Sequence, residues 1–183
     1  MVDAPSEHLL RTLAPLPPSW RILEVIGGEG RHTEALARLG FDFYTLDVDE
    51  EVVRWLRDRL RGLLSPEELE RRIRQSGLLR FPFEDEQFDW ALVYHVGDRI
   101  HTLRDFRYMM GEVFRVLKWG AWVSVGVPER SEGSGELAFT PESLHAEMEA
   151  AGFVIAEEPH REHEGTRPVL GAIYRKVHEE TPL

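Results

Sequence analysis

The sequence contains no cysteine among its 183 residues. That absence excludes disulfide bonds, thiolate metal sites and cysteine nucleophiles together. No apolar run approaches the roughly 18 residues that a membrane-spanning helix needs, and the first residues lack the basic and apolar regions of a signal peptide. We therefore expect a cytoplasmic protein that has no membrane partner.

Lysine is also scarce, and acidic residues outnumber basic ones. Only Lys118 and Lys176 are lysines among 22 basic residues, and the net charge is −11. Because phosphate neutralisation supplies most of the energy of non-specific nucleic-acid binding, this charge disfavours such a partner. The densest basic stretch, residues 54–74, is interrupted by glutamates and suits solvated helix faces. We predict no nucleic-acid partner.

The remaining composition is that of a globular protein, with 42% hydrophobic and 30% charged residues. The length fits one domain, so we predict a single domain over residues 1–183, with a short N-terminal helix at 6–13 and a core at about 20–177. Predicted strands and helices alternate along the chain. This order predicts an α/β fold, a Rossmann-like three-layer sandwich whose mostly parallel seven-stranded sheet carries helices on both faces.

Some elements are marked less clearly than others. Residues 78–83 are a weak strand candidate, whereas 88–94 is a stronger one. A helix that begins with a capping box at Ser65 carries Leu69 and Ile73 among many charges, so we expect it on the surface. The polar connection from Gly152 to Val169 suits a hairpin-like return between two strands.

The most informative motif is a glycine-rich turn between the predicted strand at 21–26 and the next helix. It contains Gly27, Gly28 and Gly30, and such a turn lets the backbone approach a ligand while aiming helix N–H groups at it. A tight strand-to-helix turn without a ligand is the other interpretation. A dinucleotide fingerprint needs a further glycine where Thr33 stands, which weakens a nicotinamide or flavin hypothesis.

Asp47 lies about 20 positions after the turn, at the end of the second predicted strand. An acidic residue at this point of such a fold hydrogen-bonds a ribose diol. Asp49 is better placed to cap the following helix. Asp47 is therefore the candidate residue for binding the ribose of a nucleoside ligand.

In this order and spacing the motifs resemble the class I S-adenosylmethionine-dependent methyltransferases, particularly the small single-domain type. The resemblance covers about residues 20–177. Beyond Glu24, the turn and Asp47, it extends to segments before the fourth and fifth strands and around the last helix, namely residues 81–89, 112–121, 140–144 and 151–153.

The resemblance implies methyl transfer from S-adenosylmethionine to a small or medium-sized acceptor, most simply a small-molecule substrate. It implies that the cofactor is bound by six residues: Glu24, Gly27, Gly28, Gly30, Asp47 and Val48. Two positions depart from the family pattern, because Ile26 stands at the first family glycine and Gly77 where an acidic residue often lies near the adenine. These departures favour the alternative hypothesis, a non-catalytic methyltransferase-like binding or interaction module with weak or no cofactor binding. A nucleotide-dependent enzyme of another class, such as an oxidoreductase, is the third hypothesis.

Catalytic candidates follow the fourth predicted strand. Methyl transfer mainly needs the donor and acceptor to be aligned, and a base is required only when the acceptor must lose a proton. Ligands of open α/β sheets bind at the carboxyl ends of the strands, so Tyr94 and His95 are predicted to face the cofactor or acceptor. Asp98 and His101 lie close behind them.

The remaining histidines do not predict a metal centre. His160, His163 and Glu164 have loose spacing within a polar stretch, and His145 lies far from them in the sequence. We interpret these side chains as a solvated surface and predict no metal site.

Overall fold

The computed structural model describes residues 4–135 and 137–178. Its elements, in chain order, are α1 (Glu7–Leu13), β1 (Arg21–Glu24), α2 (Arg31–Leu39), β2 (Asp42–Asp47), α3 (Glu50–Arg59), α4 (Pro66–Arg72), β3 (Ile73–Gln75), β4 (Phe88–Val93), α5 (Val96–Arg99), α6 (Leu103–Val116), β5 (Leu117–Pro128), α7 (Pro141–Ala150), β6 (Phe153–Glu164) and β7 (Arg167–Lys176). Within the described ranges no helix combines the length and apolarity needed to cross a membrane.

The strands form one seven-stranded sheet in the order β3-β2-β1-β4-β5-β7-β6. Neighbours from β3 to β5 pair in parallel, whereas β7 pairs antiparallel with both β5 and β6. The predicted seven-stranded α/β fold is confirmed, and the sheet is mixed.

Both faces of the sheet are covered, because successive strand residues point to opposite sides. On β1, Ile22 belongs to a core formed with α1 and α2, whereas Leu23 belongs to a larger core formed with α6 and α7. A third, smaller cluster joins α3 and α4 beside β3. Both faces of the sheet are therefore covered by helices, and the loops lie at the ends of the strands.

The third strand is not where the sequence pattern placed it. Residues 78–83 form bends rather than a strand, and the surface position expected for Ile73 is wrong. α4 ends at Arg72, and Ile73 begins β3, completely buried against Leu56 and Leu60 of the third cluster. A single apolar residue after a charged helix gives no periodicity, so burial beneath α3 decides its structure.

The polar stretch after Gly152 does form a hairpin, and the strands are longer than the apolar pattern indicated. β6 runs to Glu164 and β7 begins at Arg167. β6 is an edge strand, and edge strands commonly carry charged residues because these prevent pairing with other chains. These charges interrupt the apolar pattern, so the sequence predicts only the first residues of β6 as a strand.

Candidate functional site

A cavity of about 710 Å³ lies at the carboxyl ends of β1 and β4. These strands are neighbours, and the chain proceeds from β1 to β2 on one side and from β4 to β5 on the other. This reversal of strand order opens the crevice in which open α/β sheets bind ligands. The cavity is lined by residues from the glycine-rich turn, α3, α5 and the β6–β7 hairpin: Gly28, Glu29, Asp49, Glu51, Val52, Trp55, His95, Asp98, Arg99, Glu164 and Arg167.

The glycines of the turn allow close approach by side chains of the protein itself. A Cβ atom on Gly27 would lie 2.6 Å from Leu56 Cδ1, and one on Gly30 would lie 2.6 Å from Leu56 Cδ2. A Cβ atom on Gly28 would lie 2.9 Å from the His95 ring. Gly28 and Gly30 also have positive φ angles, of 53° and 81°, which glycine adopts without the steric cost that other residues incur. Leu56 and His95 therefore hold the turn in place from two sides.

Ile26 does not point into the cavity. Its side chain is completely buried in the larger core, with Val25 and Val96 among its neighbours in the cluster. An isoleucine in this position is an ordinary core residue. The departure from the family glycine is thus accommodated beneath the turn.

Glu24 is enclosed beneath the same turn. Its Oε1 accepts hydrogen bonds from the hydroxyls of Thr33, in the first turn of α2, and of Thr45 on β2 at 3.0 Å. Burial raises the pKa of Glu24 to about 8, although both hydroxyl bonds act in the opposite direction. Glu24 therefore links β1, β2 and α2 around the turn. Thr33, which stands at the third glycine position of the dinucleotide fingerprint, donates one of these hydrogen bonds.

Asp47 lies at the carboxyl end of β2 and is completely buried. Its Oδ2 accepts a hydrogen bond from the Gly28 N–H at 3.1 Å, and its Oδ1 accepts one from the Asp49 N–H at 3.1 Å. Arg99 Nε also donates to Oδ1, at 3.0 Å. The carboxylate is thus fixed against the glycine-rich turn, and the guanidinium that neutralises it lines the cavity.

Two exposed apolar side chains lie in the segment that follows β2. Val48 is exposed, and its carbonyl accepts a hydrogen bond from Gln75 Nε2 at 3.2 Å. Trp55 of α3 is also exposed and lines the cavity. A Cβ atom on Gly77 would meet no other atom within 4 Å. Trp55 therefore supplies apolar surface within the cavity, whereas Val48 and Gly77 lie outside its lining.

His95 follows β4 and adopts a left-handed backbone conformation with φ of 56°. Non-glycine residues seldom adopt this conformation, and such residues cluster at functional sites. Its N–H donates to Glu164 Oε1 at 3.0 Å, and its ring Nδ1 lies 3.8 Å from carboxylate oxygens of both Asp98 and Glu164. Burial lowers the pKa of His95, and the two carboxylates offset this only in part. Burial therefore favours the neutral form of the imidazole.

The family model described as a methyltransferase domain matches residues 23–125, more than half of the chain. The chain belongs to this methyltransferase family. Membership in this family indicates S-adenosylmethionine-dependent methyl transfer, with S-adenosylmethionine as the cofactor. A comparison with curated proteins finds no match.

Solved methyltransferases share the fold. An S-adenosylmethionine-dependent methyltransferase from Methanosarcina mazei is 18% identical with a TM-score of 0.75, over 97% of this chain and 100% of its own. One from Aquifex aeolicus is 20% identical with a TM-score of 0.67, over 91% and 88%. The 1,6-didemethyltoxoflavin-N1-methyltransferase of Burkholderia thailandensis, solved with 1,6-didemethyltoxoflavin and S-adenosylhomocysteine, is 16% identical with a TM-score of 0.71, over 93% and 76%.

The sequence-predicted residues of this methyltransferase are brought together only in part. Gly28 and His95 line the cavity, and Asp47 lies just behind its wall. Tyr94 is buried in the core formed with α1 and α2, away from the cavity lining. Its ring packs edge-on against His32, with ring centroids 4.7 Å apart. His101 is exposed and lines a separate, smaller cavity. The catalytic role predicted for Tyr94 stays a prediction.

The sequence interpretation missed several charged residues at the methyltransferase site. Glu164 is buried, contacts the His95 N–H and lies 3.8 Å from the guanidinium of Arg31, so the solvated surface expected for it is wrong. Arg99 and Arg167 were not singled out either, although both line the cavity. Arg99 lies six residues after β4, so the rule that ligands bind at strand ends could have found it. Glu164 gave no local signal, since it reaches the site from a hairpin distant in the sequence.

Proposed function

We propose that the cavity beside the glycine-rich turn is where this methyltransferase binds both cofactor and acceptor, and that Asp47 receives the cofactor ribose. The main support for this proposal is the buried Asp47 carboxylate at the end of β2, which accepts a hydrogen bond from the Gly28 N–H. A carboxylate and a backbone donor side by side suit a ribose diol. When bound, S-adenosylmethionine supplies the methyl group on its sulfonium.

Ribose binding requires Arg99 to leave Asp47. A carboxylate offers about four lone-pair positions on its two oxygens, and the two backbone N–H groups and Arg99 use three of them. A diol needs two acceptor positions, so one more must become free. Arg99 is the donor that can move, because its side chain is partly exposed whereas the other two donors belong to the backbone.

His95 is the proposed general base. Its imidazole can accept a proton from the acceptor in the neutral form, and its Nε2 is buried without a hydrogen-bond partner among the described residues. Asp98 and Glu164, each 3.8 Å from Nδ1, would stabilise the imidazolium that forms. The strained backbone of His95 holds this ring over Gly28.

The charges around the cavity favour a small acceptor that is neutral or cationic. Five carboxylates line the cavity and only two arginines do. Of these, Arg167 is paired with Asp98 at 2.7 Å and Arg99 with Asp47. An anionic acceptor would therefore meet net repulsion. The cavity volume lies within the range of small-molecule sites.

Calorimetric titration with S-adenosylhomocysteine, followed by a methyl-transfer assay on a panel of small amines, hydroxyl compounds and carboxylic acids, tests this proposal. We expect saturable cofactor binding and methylation of amines or hydroxyl compounds in preference to carboxylic acids. The absence of measurable cofactor binding by the folded protein would instead favour a non-catalytic relative. The Arg99–Asp47 ion pair is the specific observation in favour of that second hypothesis.

A further inference from the structure

A cluster of histidines and carboxylates joins the N-terminal helix to the edge strand, away from the proposed cofactor cavity. Ligand-type atoms of His8, Glu157 and His160 all lie within 4.8 Å of one another. His8 Nε2 lies 2.6 Å from Glu157 Oε1, and the two imidazole rings are 4.1 Å apart at their centroids. His8 lies on α1, and Glu157 and His160 lie on β6. His8 and Glu157 are 149 positions apart in the sequence.

An irregularity in β6 puts the two strand residues on the same side. Residues three positions apart on a regular strand face opposite sides. Here Glu157 pairs with Ile173 and His160 pairs with Gly171, so four residues of β6 (157–160) span three of β7 (171–173). This is the geometry of a β-bulge, which redirects a side chain at a specific position. The bulge therefore turns both Glu157 and His160 towards α1.

A glycine on the neighbouring strand provides the space. A Cβ atom on Gly171 would lie 2.7 Å from His160 Nε2 and 3.1 Å from the Glu162 carboxyl carbon. The imidazole and this carboxylate therefore occupy the position where any other residue would carry its side chain.

The helix that carries His8 is held firmly against the sheet. Leu9 and Leu13 are buried in the core between α1, α2 and the sheet. Ser6, the N-cap of α1, donates its hydroxyl to Glu162 Oε1 at 2.7 Å. Glu162 in turn lies 3.1 Å from His160 Nε2. The position of His8 relative to β6 is thus fixed by packing and by hydrogen bonds.

We propose that His8, Glu157 and His160 bind a divalent transition metal ion of the zinc type, which fastens α1 to β6. Two imidazoles and one carboxylate are a donor set that zinc accepts, with a fourth position left for water or a further carboxylate. Glu162 Oε1 lies 3.1 Å from His160 Nε2, and its Oε2 is buried without a hydrogen-bond partner among the described residues, as is His160 Nδ1. A dication would balance Glu157 and Glu162 while both imidazoles stay neutral.

Titration with zinc chloride tests the site. We expect the wild-type protein to bind one zinc ion and to melt at a higher temperature with zinc, because a ligand bound only to the native state stabilises it. His8→Ala and His160→Ala should each weaken zinc binding by roughly tenfold or more and lose the thermal shift. Magnesium, which prefers an all-oxygen shell, should not compete.

His163→Ala is the matched control, because His163 is an exposed histidine on the same strand and no member of the cluster. It should bind zinc as the wild type does. Glu157→Gln, at an exposed position, provides a second test if a histidine variant fails to fold, and it should also weaken binding. Zinc binding that is undetectable in the wild type, or equally strong in the cluster variants and in His163→Ala, would overturn the proposal.

Discussion

Replacement of Arg99 by alanine should tighten cofactor binding. In the structure Arg99 Nε occupies an Asp47 lone pair that a ribose hydroxyl would use. A hydrogen bond to a charged group contributes about 1.5–3 kcal/mol, and the cofactor must replace this bond in the wild type but not in the variant. We therefore expect S-adenosylhomocysteine to bind the variant roughly 10- to 100-fold more tightly.

The same substitution should destabilise the protein without ligand. Loss of the bond leaves a buried carboxylate with two backbone donors, so the free energy of unfolding should fall by about 1.5–3 kcal/mol. For a chain of this size that corresponds to a melting temperature lower by roughly 3–12 °C. Because one bond accounts for both effects, the gain in binding free energy and the loss in unfolding free energy should be similar.

Calorimetry for affinity and thermal melts for stability measure the two effects. Arg167→Ala is the matched control, since Arg167 also lines the cavity but pairs with Asp98 rather than Asp47. It removes the same charge from the cavity without freeing Asp47. If Arg99→Ala binds the ligand no more tightly than Arg167→Ala, the displacement of Arg99 by ribose is refuted.

Three further predictions concern residues around the turn. The pKa of Glu24 is raised from 4.5 to about 8, so its protonated form stabilises the fold fully below pH 4.5 and this contribution is lost as the pH rises towards 8, by up to about 1.4 kcal/mol per pH unit. In urea denaturation between pH 5 and 8.5, the free energy of unfolding should decline with pH for the wild type but not for Glu24→Gln. Parallel pH dependences for the two proteins would contradict the raised pKa of Glu24. His95→Asn, which tolerates the positive φ, should slow methyl transfer by roughly 10²–10⁴-fold with little change in cofactor affinity; an unchanged rate would exclude His95 as the base. Ile26→Gly should cost about 2–5 kcal/mol of stability and gain no affinity, whereas tighter cofactor binding would show that Ile26 obstructs the site.

The alternation of buried strands and amphipathic helices was sufficient to predict the fold, because each element carries its own periodicity. It failed at Ile73, whose burial depends on α3 and α4 packing over it, and it underestimated β6, whose exposed edge carries charges. Both depend on contacts between segments distant in the sequence. Predictions about single-domain organisation, cytoplasmic location and the absence of a nucleic-acid partner stay predictions.

The site was predictable where strand order alone determines position. Gly28 and His95 follow neighbouring strands, so both lie at the cavity. Tyr94 shares its strand side with Trp90 and Leu92, all within the core formed with α1 and α2, and strict alternation along β4 could have assigned it there. The partners of Asp47 and His95, namely Arg99 and Glu164, depend on tertiary packing that no local pattern encodes.

The most direct test of the central claim is the affinity of S-adenosylhomocysteine for the wild type, for Asp47→Asn and for Asp49→Asn, measured by calorimetry. Asp49 also lines the cavity and caps α3, and asparagine preserves the cap, so the second variant controls for lost negative charge. We predict that Asp47→Asn weakens binding by roughly tenfold or more, whereas Asp49→Asn changes it little. Equal affinities for the two folded variants would contradict the assignment of Asp47 to the ribose.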